Sequence, residues 1–191
     1  MTRRAAVRRS VVVALFSLAL LGARRQAPPA APPEWFERLL SDLVAGGDEW
    51  VADNASYRSD QEPADAYVMT WTWGPGRRSV SGRLHAVVSG ERRPALWEFR
   101  QFWHPDRREA RLVQYGADGT VGEGGLQRAD DGSIVVEQDF WSPAGRSWRQ
   151  RHVERAEARS RESRDARWDD GAWRDGRRYV WTRRAAASRG R

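Results

Sequence analysis

The chain of 191 residues contains no cysteine and no lysine. Without cysteine it can form no disulfide bond, no thiolate zinc site and no cysteine nucleophile. Without lysine it offers neither a Schiff base nor a lysine nucleophile, and all 33 basic residues are arginine. These two absences exclude several classes of enzyme and metalloprotein before any motif is considered.

The formal net charge of +7 suggests an anionic partner, but the distribution of the charge does not. Residues 1–33 hold six arginines and no carboxylate, and four more arginines follow residue 182. Residues 34–182 hold 23 arginines against 26 carboxylates, which is a net charge of −3. Because a nucleic-acid-binding domain needs a positive surplus on its folded body, we expect no nucleic acid among the partners.

The first residues have the pattern of an export signal. Residues 3–9 carry four arginines, residues 11–21 are apolar except for Ser17, and Gly22 and Ala23 follow. This pattern predicts a signal peptide over residues 1–23 and an exported protein, whether periplasmic, in the cell envelope or secreted. The apolar stretch is shorter than the about 20 residues of a membrane helix, so we expect no stable membrane span after cleavage. An uncleaved anchor is the alternative.

Three further segments follow the leader. Residues 24–33 are rich in proline and alanine, which predicts an extended spacer. Residues 34–182 form the predicted barrel domain, and residues 183–191 a basic, disordered tail. The domain begins with a predicted amphipathic helix over residues 34–45, because its apolar residues recur at helical spacing and Gly46 and Gly47 end the pattern. We expect this helix to cover one end of the domain.

The rest of the domain consists of strand-length segments separated by turns. Strands of alternating apolar and polar residues lie between turn sequences such as Gly-Pro-Gly at residues 74–76 and Asp-Asp-Gly at residues 130–132. Their spacing of about 8–12 residues predicts an all-β domain. Because no segment is long enough for a helical crossover, the strands should form an antiparallel up-and-down meander. Closure into a barrel of about eight to ten strands would remove its exposed edges.

Two segments resemble a group of uncharacterised exported bacterial proteins: residues 97–105 (WEFRQFWHP), and Trp168-Asp169-Asp170-Gly171 with the later Tyr179-Val180-Trp181. That group is similar to the calycin superfamily of lipocalin and fatty-acid-binding barrels, and the resemblance covers residues 34–182. It implies a calycin-like barrel with an internal cavity.

The resemblance also implies a tryptophan close behind a glycine in the first strand, with an arginine of the last strand lying over it. Gly47 and Trp50 are the candidates for the first pair, although one more residue separates them here than in lipocalins. Arg177, Arg178 and Arg183 are the candidates for the arginine.

The implied cavity predicts a ligand-binding site built from the apolar phase of several strands. Pockets that bind small, partly apolar or aromatic ligands are mostly aromatic with a few polar groups. The candidate lining residues are Trp71, Trp73, Trp97, Phe99, Gln101, Trp148, His152 and Tyr179. Glu98 and Arg100 share one face of a strand and would form a polar cavity pair if that face points inward.

Two other functions are compatible with the sequence. One is an acid–base enzyme that uses Glu98 or His152 inside the barrel. The other is a filled barrel that serves as a structural or interaction module. Some calycin-like barrels hold haem through one histidine, which makes His152 the candidate axial ligand here. No other cofactor, no metal site and no catalytic constellation is predicted, because no two of the three histidines have metal-ligand spacing.

Overall fold

A computed structural model describes residues 30–47, 49–157 and 160–184. The predicted signal peptide over residues 1–23, most of the spacer and the end of the tail from residue 185 lie outside these residues. Helix α1 spans Glu34–Val44, as the apolar spacing predicts, and begins directly after Pro33. It is the one helix longer than a single turn in the described part of the chain, and it is too short and too polar to cross a membrane.

Ten strands follow α1 and form one antiparallel sheet that closes into a barrel. The strands are β1 Glu49–Asp53, β2 Ala66–Trp73, β3 Ser79–Val88, β4 Glu91–His104, β5 Glu109–Gly116, β6 Val121–Arg128, β7 Ile134–Trp141, β8 Ser147–Ala156, β9 Ser160–Asp169 and β10 Ala172–Arg184. Each strand pairs with the next along the chain, and β1 also pairs with β10. The predicted all-β, up-and-down barrel with one N-terminal helix is therefore confirmed.

The barrel closes through strand positions that the sequence pattern does not reveal. β1 has only five residues, and it pairs with β2 on one side and with β10 on the other. Arg183 and Arg184 belong to β10, where they pair with Trp50 and Glu49. The predicted tail therefore starts too early, because the last strand needs these two residues to complete the ladder with β1.

Helix α1 covers the barrel end at which β1 begins and β10 ends. Its buried face packs against β2 and β3. The ring of Phe36 lies 6.3 Å from that of Trp103, at the end of β4, and Trp50 Nε1 donates a hydrogen bond to the Leu43 carbonyl at 3.2 Å. We call this the helix end, and the opposite end, where the loop of residues 54–65 lies, the loop end.

Candidate ligand-binding cavity

A cavity of about 250 Å3 lies inside the barrel. Leu43 of α1 and inward side chains of nine strands form its wall, and β6 is the strand that contributes none. Two of the inward positions on β6 are Gly122 and Gly124, where a Cβ atom would overlap the ring of Phe140 and the backbone of Glu137, respectively. The glycines therefore let β7 and its side chains approach β6 closely.

Most of the predicted lining residues border this cavity. They are Trp71, Trp97, Phe99, Gln101, Trp148, His152 and Tyr179. Trp73 is not among the lining residues, although it shares the inward phase of β2 with Trp71. It is the last residue of β2, at the helix end, where the Arg77 guanidinium lies 4.8 Å from its ring centroid.

Glu98 and Arg100 do not form a polar pair in the cavity. Their neighbours Trp97, Phe99 and Gln101 point inward, so the alternation of β4 turns both charged side chains to the outer face. Glu98 forms an exposed salt bridge with Arg83 at 2.9 Å. The expected polar cavity pair is therefore wrong, and Glu98 is not placed to act as an acid or base inside the barrel.

Stacked aromatic rings form the apolar part of the wall. Trp71 and Phe99 stack with ring centroids 5.7 Å apart. Phe140 and Trp148 stack with centroids 5.0 Å apart and an interplanar angle of 5°. Trp97 packs edge-on against Phe140 at 6.1 Å. These five rings lie on four different strands, and all of them line the cavity.

A row of polar side chains crosses the other part of the wall. We call Gln114, Gln138, Gln150 and Asp165, on β5, β7, β8 and β9, the polar belt. Gln114 Nε2 lies 3.5 Å from Gln138 Oε1 across the glycines of β6. Gln138 and Gln150 are register partners, and Gln150 Nε2 donates to Asp165 Oδ2 at 3.1 Å. The sequence pattern does not reveal this belt, because only the strand register brings these residues together.

Two ion pairs flank the belt. Near the helix end, the buried Arg161 donates to Glu154 at 2.8 Å, and its guanidinium lies 5.4 Å from the ring of Trp50. Near the loop end, Arg177 forms a two-point salt bridge with Glu62. Both arginines therefore have a carboxylate of their own.

The Glu62–Arg177 pair belongs to a hydrogen-bonded cluster at the loop end. Tyr67 donates to Glu62, and Tyr179 donates to Asn54 Oδ1 at 2.8 Å. Hydrogen bonds from Arg177 hold the pKa of Glu62 below its ordinary value, while burial and the Glu62 carboxylate raise the pKa of Tyr67. The cluster therefore keeps Glu62 ionised and Tyr67 protonated near neutral pH.

His152 lies on β8, between Gln150 and Glu154 on the inward face. Burial lowers the pKa of His152 below its ordinary value, although the charges of Asp165 and Glu154 act in the opposite direction. The imidazole is therefore neutral at pH 7. A haem does not fit here. Pockets for drug-sized ligands begin at about 300 Å3, a tetrapyrrole is larger than such a ligand, and this cavity has a volume of about 250 Å3.

Four cavity-lining side chains carry a buried polar atom without a hydrogen-bond partner among the described residues. They are Trp71 Nε1, Gln101 Oε1, Gln138 Nε2 and Arg161 Nε. Buried polar groups in folded proteins almost always have a partner, so each such atom calls for one. A polar group of a ligand, or water, would satisfy them.

The stacked pair Phe140 and Trp148 also borders a cleft on the outside of the loop end. This cleft has a volume of about 320 Å3 and is open to solvent. Trp141 and Trp168, both about half exposed, line it from the outer face. The two stacked rings therefore separate the outer cleft from the internal cavity.

The chain has no match among protein-family models and no significant match among curated proteins. Within residues 30–47, 49–157 and 160–184, no three His, Asp or Glu side chains are grouped so that they could hold a metal ion.

Proposed function

We propose that this protein is a non-catalytic carrier or sensor barrel that binds a small, partly apolar ligand in its central cavity. The observation that carries this proposal is the wall of the 250 Å3 cavity, in which stacked aromatic rings face a belt of polar side chains. Binding sites for small molecules have this composition. A filled structural barrel would leave no such void.

The size of the cavity limits the ligand. A cavity of about 150 Å3 can hold benzene, and pockets for drug-sized molecules begin at about 300 Å3. A molecule of one or two rings therefore matches a cavity of about 250 Å3. The unpartnered polar atoms of Trp71, Gln101 and Gln138 favour a ligand that also carries a hydrogen-bonding group.

We also propose that this protein is exported and that its barrel is calycin-like. The leader pattern of residues 1–23 supports export. Arg183 supports the calycin resemblance, because its guanidinium lies 4.7 Å from the ring of Trp50, in the relation that the resemblance implies. The net charge of −3 over residues 34–182 supports a partner other than nucleic acid.

An acid–base reaction at His152 is the second candidate function. His152 and Asp165 are register partners on β8 and β9, and both line the cavity, so a bound molecule would lie beside them. Mass spectrometry of the ligand after incubation with the protein separates the two functions. A carrier returns the molecule unchanged, whereas an enzyme converts it in a reaction that His152→Gln abolishes.

Calorimetric titration with indole and 2-naphthol tests the binding function. We expect both to bind wild-type protein, and Val136→Phe to weaken binding at least tenfold by filling the cavity. Val135→Phe adds the same ring to the outer phase of β7 and should leave binding unchanged. The proposal would be overturned if neither probe bound wild-type protein, or if the two variants had equal affinities.

A further inference from the structure

We propose that the cavity selects small aromatic amines, whose ammonium group binds the carboxylate of Asp165. This inference rests on the proposed binding function and names the class of ligand. It follows from the way the charged groups in and beside the cavity are paired, together with the aromatic rings around them.

The salt bridges in and beside the cavity leave one lining carboxylate without a counterion. Glu154 is paired with Arg161, and Arg177 is paired with Glu62 at the loop end. Asp165 forms no salt bridge with any residue that the structure describes. The nearest cation on its own strand face, Arg167, instead places its guanidinium 5.3 Å from the ring of Trp148.

The partners of Asp165 fix its carboxylate without neutralising it. Gln150 Nε2 donates to Oδ2 at 3.1 Å, and the backbone N–H of Arg177 donates to Oδ1. A carboxylate can accept about four hydrogen bonds, so acceptor sites remain on both oxygens. The half-buried carboxylate lines the cavity, and a ligand cation would supply the missing counter-charge there.

The second observation is that buried hydrogen-bond donors and aromatic rings line the same cavity as Asp165. Gln138, which is 1% exposed, belongs to the same belt as Asp165, and its Nε2 has no partner among the described residues. Trp148 donates to Gln150, which in turn donates to Asp165, so two successive hydrogen bonds link an indole ring to the carboxylate. Aromatic faces attract cations, and the stacked rings of Trp71 and Phe99 accommodate a flat ring system.

Three probes with one indole ring separate charge from shape. They are tryptamine, its uncharged isostere 3-propylindole, and the anion indole-3-acetate. We expect wild-type protein to bind tryptamine at least tenfold more tightly than 3-propylindole, and the anion more weakly than both. The wild-type series decides the inference without any variant.

Asp165→Asn tests which group carries the preference. It should bind tryptamine and 3-propylindole with similar affinity, while its affinity for 3-propylindole stays at the wild-type value. Asp139→Asn is the matched control, because it removes the same charge from the outer face of β7, where Asp139 pairs with Arg149 at 3.1 Å. This control should keep the preference for tryptamine.

The outcomes distinguish this inference from the proposed function. If 3-propylindole binds wild-type protein as tightly as tryptamine, or if the preference survives in Asp165→Asn, the amine inference fails and the binding function stands. If no indole binds, both fail.

Discussion

The guanidinium of Arg183 lies over the indole ring of Trp50, 4.7 Å from the ring centroid, and donates a hydrogen bond to the Asp42 carbonyl at 2.7 Å. Trp50 in turn donates to the Leu43 carbonyl. These contacts join the last strand, the first strand and the end of helix α1. They hold the helix on the barrel at the point where the sheet closes.

Arg183→Met should therefore loosen this junction. The substitution keeps an apolar stem but removes the cation–π contact and the hydrogen bond, so we expect a loss of about 1–2 kcal/mol of unfolding free energy in urea. Arg184→Met changes the next residue, whose side chain is exposed, and should have little effect. Equal effects of the two substitutions would contradict the assigned role of Arg183.

Neighbouring glycines of β6 offer a sharper contrast. At Gly124 a Cβ atom would overlap the Glu137 carbonyl, whereas at Gly125 the nearest atom would be the Ala110 oxygen at 3.9 Å. Gly124→Ala should therefore cost about 2 kcal/mol or more, because the backbones of β6 and β7 must move apart. Gly125→Ala should be neutral or slightly stabilising. Thermal melts of the two variants check this, and a Gly125→Ala protein less stable than Gly124→Ala would contradict the register.

The buried arginine of the cavity wall should be far more sensitive than an exposed one on the same strand. Arg161→Met leaves Glu154 without its counterion, and we expect a loss of about 3 kcal/mol. Arg164→Met breaks an exposed pair with Glu162 and should change stability little. Urea denaturation of the two variants measures the difference. If Arg161→Met is as stable as Arg164→Met, Arg161 does not support the cavity wall.

His152 should make stability depend on pH in a defined direction. Its folded-state pKa lies below the ordinary value of about 6.5, so between those two pKa values the unfolded chain binds more protons than the folded chain. The unfolding free energy should therefore fall as the pH drops below about 6.5, by at most about 1.4 kcal/mol per pH unit.

Urea denaturation between about pH 7.5 and pH 5.5 measures this slope. His152→Gln should reduce it, since glutamine does not titrate. The imidazole is flanked by Val136 on β7, Glu154 on β8 and Asp165 on β9. Glu62, whose pKa is lowered, affects the unfolding free energy only at more acidic pH. An unchanged slope in His152→Gln would show that the pKa of His152 does not change on folding, which would contradict a lowered pKa in the folded protein.

Strand alternation was sufficient to predict most of the fold and the aromatic wall. Helix α1 and the inward phase of β2, with Trp71, follow from local periodicity. Strand β1 does not follow from periodicity, because five residues with a charge at each end carry too little alternation; only the resemblance points to a first strand at Trp50. Local periodicity could not decide which face of β4 points inward, because both faces of this strand hold aromatic residues.

The polar belt could not be predicted for a different reason. Gln114, Gln138 and Gln150 each look like an ordinary polar residue of a half-exposed strand. Only the register across β6, with Gly122 and Gly124 turned inward, brings them into one row that ends at Asp165. Long-range pairing, rather than local sequence, therefore determines the polar half of the cavity.

Native mass spectrometry of the protein purified from its own cells tests the central claim most directly. We predict that a fraction of the protein carries one non-covalent small molecule of one or two rings, and that this adduct is lost in Val136→Phe and kept in Val135→Phe. Wild-type protein that is uniformly free of any adduct, and that gains none when exposed to aromatic amines or neutral indoles, would contradict a ligand-binding barrel.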